Sequence, residues 1–102
     1  MRRIIPSSDA VMTIYKKDPA AVLDYGFDWT DWLDSDLSEL ISTSTWTVSS
    51  GITKDSDSKA DGITTIWLSG GTVGETYLIT NRILTSANRT EDRSFKVKVG
   101  NR

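Results

Sequence analysis

Hydrophobic and polar residues alternate most clearly in the stretch that begins at Leu23. Apolar side chains occupy every second position from Leu23 to Trp29, and the positions between them are polar or glycine. A period of two is typical of a strand that has one face in a core and the other in water. We therefore expect the aromatic side chains of this stretch to lie in a core, with Asp24 and Asp28 facing solvent.

Several other stretches of the chain have the composition of strands. They are rich in β-branched and aromatic residues and end at Pro, Gly, Asn or Asp. We place these strands within residues 10–19, 40–51 and 63–71 and in both arms of a hairpin within 74–99. Residues 52–62 are polar and turn-forming, so they predict at most a short edge strand near Ile52. Short strands with frequent turns predict an all-β fold, an immunoglobulin-like antiparallel β-sandwich of about seven strands.

The link between the second and third predicted strands carries a competing helical signal. Trp29, Leu33 and Leu37 recur every four residues, which is the spacing of a helical stripe. Asp and Ser dominate the positions between 34 and 38, however, and their side chains compete for the backbone in a helix interior. We interpret residues 31–39 as an irregular link with room for one helical turn.

The sandwich interpretation assigns particular roles to three aromatic residues. Tyr77 follows a glycine at the start of the penultimate strand, the position of a tyrosine corner. Trp46 on the third strand matches the buried tryptophan of such domains. The chain has no cysteine. Apolar packing between Ile79 and either Phe27 or Tyr25 is therefore expected in place of the inter-sheet disulfide.

The first residues of the chain differ from the rest. Pro6 and the Ser-Ser-Asp run that follows it interrupt regular structure. We predict an N-terminal arm over residues 1–9 and a single sandwich domain over residues 10–102. Lys16 and Lys17, at the end of the first strand, are interpreted as charges that protect a sheet edge.

Composition narrows the classes of function. The net charge of −2 and the pI near 4.9 disfavour a nucleic-acid-binding protein, which normally carries a basic stripe. No apolar run approaches the length of about 18 residues that a membrane helix requires. The chain contains neither histidine nor cysteine, so it lacks an imidazole base and a thiolate nucleophile. We expect no enzyme activity, no cofactor and no metal site.

The aspartates between residues 24 and 36 are candidates for a calcium site or a catalytic site. Asp31, Asp34 and Asp36 lack the glycine-containing arrangement of calcium loops. Asp24 and Asp28 are four residues apart on a strand, roughly 13 Å, which is too far to share one ion. We interpret all of these carboxylates as solvated.

Candidate interface residues are those that the core pattern does not account for. Trp32 and Trp67 fall outside the inward-facing set, and either a sugar or a protein partner could cover them. Asn81 and Arg82 form an unexpected polar pair within a strand, for which a buried asparagine and a surface arginine are the simplest interpretation. The candidates are Arg2, Arg3, Ile4, Ile5, Trp32, Trp67, Arg82, Asn88, Arg89 and Arg93.

Three stretches together resemble a known protein family. They are KDPAAVLDYGFDWTDWL, STWTVSSGIT and TTIWLSGGTVGETYLITNRILTSANRTEDRSFKV. They are similar to small structural proteins of tailed bacteriophages, of the fiber–tail adaptor or neck type, over roughly residues 16 to 97. The link at 34–40 and the loop at 54–61 look individual to this chain, so partner contacts there are not carried over.

This resemblance implies an immunoglobulin-like virion structural protein that joins tail, neck or fiber components through protein–protein contacts. It also implies self-association in a symmetric assembly, in particles that form in the host bacterial cytoplasm. Neither nucleic acid nor a membrane is expected as a partner. The alternative is a capsid decoration or carbohydrate-contacting module on the particle exterior.

Overall fold

The protein folds into two packed β-sheets. The computed structural model describes residues 13–100 and the backbone of residues 3–5. Eight strands are present in this part of the chain, and one 3₁₀ turn, Ser35–Leu37, lies between the third and fourth. The strands are β1 (Arg3–Ile5), β2 (Ile14–Lys17), β3 (Leu23–Asp28), β4 (Ile41–Val48), β5 (Ile52–Ala60), β6 (Ile63–Gly70), β7 (Thr76–Thr85) and β8 (Thr90–Val99).

The strand order is that of an immunoglobulin-like sandwich. The first sheet has the order β1-β3-β6-β5 and the second has the order β2-β8-β7-β4. Strands β1, β3, β6 and β5 correspond to strands A, B, E and D of the immunoglobulin fold, and β4, β7 and β8 to C, F and G. The predicted all-β sandwich is confirmed. It differs from the expectation in one respect, because β1 pairs with β3, and β2 with β8, in parallel.

Aromatic side chains from both sheets fill the core. Tyr25, Phe27 and Trp29 are at most 1% exposed, which confirms the period-two prediction for β3. The ring of Phe27 stacks on Trp46, with centroids 5.9 Å apart, and meets the edge of Phe95 at 5.8 Å. Trp46 on β4 is therefore the buried tryptophan of the sandwich, as predicted. Ring contacts of this kind add to the energy of burial.

A polar link crosses the core between the two sheets. Asn81 on β7 is fully buried, and its side-chain oxygen accepts hydrogen bonds from the Trp29 indole at 3.1 Å and the Thr64 hydroxyl at 2.6 Å. Its amide nitrogen donates to the Ser44 hydroxyl at 2.9 Å and to the Thr45 carbonyl at 3.3 Å. The expected buried asparagine is confirmed. Asn81 thereby ties β4, β6 and β7 together. Its hydrogen bonds also avoid the free-energy cost of an unsatisfied buried amide.

The predicted tyrosine corner is present at the start of β7. The Tyr77 hydroxyl accepts a hydrogen bond of 2.8 Å from the backbone N–H of Thr72, five residues upstream. Gly71 makes this corner possible, since its φ is +96° and a Cβ at this position would lie 2.6 Å from Val99 Cγ2. Only glycine satisfies both the conformation and the space.

The prediction that Lys17 protects a sheet edge is wrong. Its side chain is fully buried, and the ammonium group donates to the carbonyls of Asp18 at 3.0 Å and Gly70 at 2.8 Å. Desolvation lowers the pKa of this amine. Lys16, the next side chain, is exposed. The alternation of β2 turns Lys17 inward, and two backbone carbonyls supply the acceptors that the burial requires.

The polar segment after Ile52 is a full strand rather than a loop. Strand β5 pairs with β6 along nine residues and ends at the turn Asp61-Gly62, where both residues have positive φ. Backbone hydrogen bonds to β6 hold an edge strand whose side chains are almost all exposed, so no apolar alternation marks it in the sequence. The one helical turn allowed in the 31–39 link is the 3₁₀ turn Ser35–Leu37, which the Asp34 side chain caps.

Candidate partner-binding surface

Three connections meet at one end of the sandwich, and we call this surface the loop end. It consists of residues 30–40, 61–62 and 86–89. The Gly62 carbonyl accepts the backbone N–H of Trp29 at 2.8 Å, which joins the first connection to the second. Leu40 and Ser86 exchange two hydrogen bonds, of 2.8 and 2.9 Å, which joins the first to the third. The loop end is therefore a continuous surface.

A buried carboxylate holds the longest of these connections in place. Glu39 has a side chain with no solvent exposure. One carboxylate oxygen accepts the backbone N–H of Asp34 at 2.8 Å and the Arg89 guanidinium, and the other accepts the Thr85 hydroxyl and Arg89 Nε at 2.9 Å. Four donors on one carboxylate replace the water that it loses on burial.

These donors change the acidity of the carboxylate. The hydrogen bond from Arg89, followed by that from Thr85, lowers the pKa of Glu39 from 4.5 to about 2. Hydrogen bonding to the charged form favours that form. Glu39 is thus ionised at neutral pH, and its charge is neutralised inside the protein by Arg89.

Arg89 also covers Trp32. The guanidinium carbon lies 4.0 Å from the centroid of the Trp32 ring, and one nitrogen donates to the Trp32 carbonyl at 3.1 Å. Trp32 also contacts Trp29. The two rings meet edge to face, with their centroids 5.6 Å apart. The candidates Trp32 and Arg89 are therefore brought together, with Trp32 half-buried between the core and a cation.

A second arginine stacks on the same aromatic pair. The guanidinium carbon of Arg93 lies 4.0 Å from the centroid of the Trp29 ring, and the group donates to the Asp28 carbonyl at 3.2 Å. Asn88 forms the hairpin turn with φ +62°, the left-handed conformation expected for it. The hairpin candidates Asn88, Arg89 and Arg93 thus lie on one side of the sandwich.

Apolar side chains open to solvent at the loop end. Leu37 is 66% exposed and Leu40 is 67% exposed. Leu33 and Leu40 line a shallow hollow of about 270 Å³ together with Gly62. Leu37 and Leu40 are thus apolar groups at the loop end that a partner could cover.

Arg82 lies elsewhere, on the outer face of the second sheet. It binds Asp92 on β8 through two parallel hydrogen bonds of 2.8 and 3.0 Å. The arginine side chain is 64% exposed and the aspartate 42%. The arginine bond lowers the pKa of Asp92. The expected surface arginine is confirmed, and it is far more open to solvent than the carboxylate of Glu39.

Trp67 lies on the outer face of the first sheet. It is opposite Asp24 on β3 and Ser56 on β5, and it is 40% exposed. Its neighbours Ile66 and Leu68 are fully buried, so Trp67 faces away from the core as predicted. The structure does not bring Trp67 together with the loop end.

The candidates in the arm are Arg2, Arg3, Ile4 and Ile5. Arg2 lies outside the described residues. Arg3, Ile4 and Ile5 form β1, whose backbone pairs with residues 25–27 of β3. The arm's separate domain assignment and its role in an interface stay predictions.

Sequence reasoning missed two features of the loop end. Glu39 is a single acidic residue in a link, and its side-chain partners Thr85 and Arg89 are 46 and 50 residues away along the chain, so no local pattern marks it as buried. The sequence pattern places Leu37 in an irregular link and Leu40 at the start of a strand, and it does not indicate that both side chains are exposed. The signal that was available is their position beside Asp and Ser, which interrupts any core-facing period.

No cluster of three or more metal-binding side chains occurs among the described residues. Asp31, Asp34 and Asp36 are exposed, and Asp34 accepts the backbone N–H of Asp36 at 2.9 Å. None of the helical segments in the part of the chain that the structure describes is long and apolar enough to cross a membrane.

Comparison with known protein families gives a match over most of the chain. The family model described as podophage GP4 fiber-tail adaptor protein gp77 matches residues 17–98. The match runs from the last residue of β2 to the penultimate residue of β8, and so it includes β3 to β7 and the loop end. No curated protein matches the chain.

Proposed function

Because the chain belongs to the podophage GP4 fiber-tail adaptor family, we propose that it joins the fiber to the tail of a phage particle as a non-catalytic structural part. The family is one of structural adaptors, and the chain is accordingly a virion component. The observation that carries the proposal is the match over 82 residues, 17 to 98, which includes strands of both sheets of the sandwich.

The surfaces described above support a role in protein contacts. An adaptor needs at least two separate contact areas, because it must touch two different components at once. The loop end offers exposed leucines, and the outer sheet faces offer Arg82 and Trp67. Aromatic residues and arginine are enriched in protein interfaces. We propose that Arg2, Arg3, Ile4, Ile5, Trp32, Trp67, Arg82, Asn88, Arg89 and Arg93 include contact residues.

The finer parts of the proposal concern assembly. We propose that several copies associate in a rotationally symmetric arrangement, since a fiber and a tail each present repeated sites. We propose further that the copies join the particle in the host cytoplasm and contact neither nucleic acid nor membrane. The net charge of −2 agrees with contacts to protein rather than to phosphate.

Disruption of the gene in the phage tests this function. We expect the particles to retain head and tail but to lack fibers, which electron micrographs and mass spectrometry of purified particles would reveal. The unaltered gene supplied from a plasmid should restore the fibers. Fully fibered particles without this chain would contradict the proposal. Binding of the purified protein to a glycan panel, with fibers unaffected, would favour the carbohydrate-contacting alternative.

A further inference from the structure

Two surfaces of the sandwich combine exposed apolar side chains with charges of opposite sign. One is the loop end. The other lies on the outer face of the second sheet, where β2, β8 and β7 run side by side, and we call it the lysine face. It consists of Ile14, Lys16, Thr76, Leu78, Lys96 and Lys98.

The lysine face is built from two adjacent rows of side chains. In one row Lys96 of β8 stands between Ile14 of β2 and Leu78 of β7. These two apolar side chains are 58% and 42% exposed. In the next row Lys98 stands beside Lys16 of β2, which is exposed. The β8 residues that alternate with the two lysines are buried in the core, so the lysines face outward.

Edge protection does not account for these charges. Charged side chains on an edge strand hinder pairing with other strands, but Lys96 and Lys98 lie on β8, an inner strand between β2 and β7. Lys16 and Lys98 occupy directly opposite positions, so their charges repel. The parts of β2, β7 and β8 that form the lysine face contain no carboxylate, and the nearest in sequence, Asp18 and Glu75, lie outside these strands. A negatively charged partner would relieve the repulsion.

The loop end has the complementary character. Asp61 lines the same hollow as Leu33 and Leu40. Arg89 does not offset the negative charge of the surface, because the buried Glu39 neutralises it. An apolar surface with a negative rim fits a partner that presents apolar groups among positive charges. The exposed carboxylates of the loop end are Asp31, Asp34, Asp36 and Asp61.

One chain cannot bring its own two surfaces together. From Arg89 to Lys96 the chain runs along β8 for roughly 25 Å at the rise of an extended strand. The two surfaces therefore meet only when they belong to different copies. Two loop ends, or two lysine faces, would bring like charges together, which disfavours a two-fold dimer through either surface. Complementary surfaces on different parts of one chain define a head-to-tail contact.

We propose that the partner of the loop end is a second copy of this chain, and that the loop end of one copy docks on the lysine face of the next. This inference rests on the proposed function, since it assigns the contact through which copies of the adaptor associate. A head-to-tail contact closes into a ring when the rotation from copy to copy divides a full turn. It leaves Trp67 and the outer face of the first sheet open to the other components of the particle.

Reversal of charge tests the contact. The loop variant, Asp31→Lys with Asp36→Lys, and the face variant, Lys96→Glu with Lys98→Glu, each bring like charges together across the contact. The Asp34 cap is retained in both, and Tm checks that each variant is folded. We expect each variant to self-associate at least about tenfold more weakly in sedimentation experiments at low salt. The chain with all four substitutions carries opposite charges again and should associate as the unaltered protein does.

The matched control is Asp55→Lys with Asp57→Lys. It changes the net charge by the same amount as the loop variant, but on the exposed strand β5, outside both surfaces. We expect it to associate as the unaltered chain does. An equal loss in the control would show that net charge and not this contact is responsible, and the proposal would fail. Failure of the fourfold variant to recover association would overturn it as well.

The same measurements separate this contact from the adaptor function. Self-association should weaken as NaCl is added, because salt screens exposed charges. A purified chain that stays monomeric at about 1 mM and low salt would overturn the contact, whatever gene disruption shows about fibers. If the loop variant self-associates normally but yields particles without fibers, another virion protein occupies the loop end and the proposal is wrong. The adaptor function fails separately, if particles without this chain keep their fibers.

Discussion

The β7–β8 hairpin carries two arginines that each bind a carboxylate, and the two pairs differ in exposure. Arg89 binds Glu39, whose side chain has no exposure and takes four hydrogen bonds. Arg82 binds Asp92 with 64% and 42% of the two side chains exposed. Both arginines were candidates for an interface. The first is committed to holding a loop, and the second is open to a partner.

This difference in burial between the two pairs determines how a loss of binding in an arginine variant should be interpreted. If Arg89 is removed, the buried carboxylate of Glu39 stays dehydrated without a compensating charge. The folded state is therefore destabilised. An exposed pair contributes little to stability, because water and salt screen it. Loss of partner binding after substitution of Arg89 would therefore report a disturbed loop end, whereas the same loss for Arg82 would report a contact.

Substitution of Glu39 by alanine should have the largest effect. The change leaves Arg89, Thr85 and the Asp34 amide without their acceptor, and it opens a cavity beneath the loop end. We expect Tm to fall by on the order of 10 °C in a calorimetric scan. Asp92→Ala is the matched control and should lower Tm by far less. Equal decreases for the two variants would remove the distinction between the pairs.

The pH dependence of stability sharpens the same point. Since folding lowers the pKa of Glu39 from 4.5 to about 2, its contribution is fully present above pH 4.5 and is lost as the pH falls toward 2. Glu39→Gln cannot ionise. The difference in Tm between the unaltered protein and this variant should be constant above pH 5 and shrink between pH 4.5 and 2. A difference that stays constant down to pH 2 would show that the charge of Glu39 is not what stabilises the loop.

Trp32→Phe should have an intermediate effect. The smaller ring keeps part of the edge contact with Trp29 but offers a weaker face to the Arg89 guanidinium. We expect a loss of about 1 kcal/mol in the free energy of unfolding, measured by urea titration. The same substitution at the exposed Trp67 should cost less. A larger loss at Trp67 would indicate that the outer face of the first sheet, and not the loop end, is the better-packed region.

Arg82→Ala should have the smallest effect on stability. Its pair is exposed, so Tm should shift by no more than about 2 °C. Binding to the partner is a separate readout, because Arg82 lines a shallow hollow on the outer face of the second sheet. We expect weaker binding with the fold unchanged. A large loss of stability would show that Arg82, like Arg89, stabilises the fold, and it would contradict the distinction between the two pairs.

The sequence predicted much of the core because those residues belong to a regular period or hold a position common to the fold. The alternation from Leu23 to Trp29 identified the aromatic face of β3, and the position of Tyr77 identified the corner at the start of β7. Trp46 was placed by its strand alone. These features depend on neighbours within a few residues or on the common plan of the fold, so one chain was enough to find them.

The candidate surface was less accessible to sequence reasoning. The burial of Glu39 depends on Arg89 and Thr85, which are about 50 residues away. The burial of Lys17 depends on the Gly70 carbonyl, 53 residues away. Strand β5 depends on backbone pairing, to which its polar side chains give no clue. In each case a tertiary contact overrides what the local residues favour.

The position of the chain in the particle tests the account most directly. Cryo-electron microscopy of the intact, fibered particle would show whether a sandwich of this strand order lies between fiber and tail. We predict density for this domain at the junction, with copies related by the symmetry of the tail. A fibered particle that has no such density at the junction, or has it only on the head, would contradict the adaptor function.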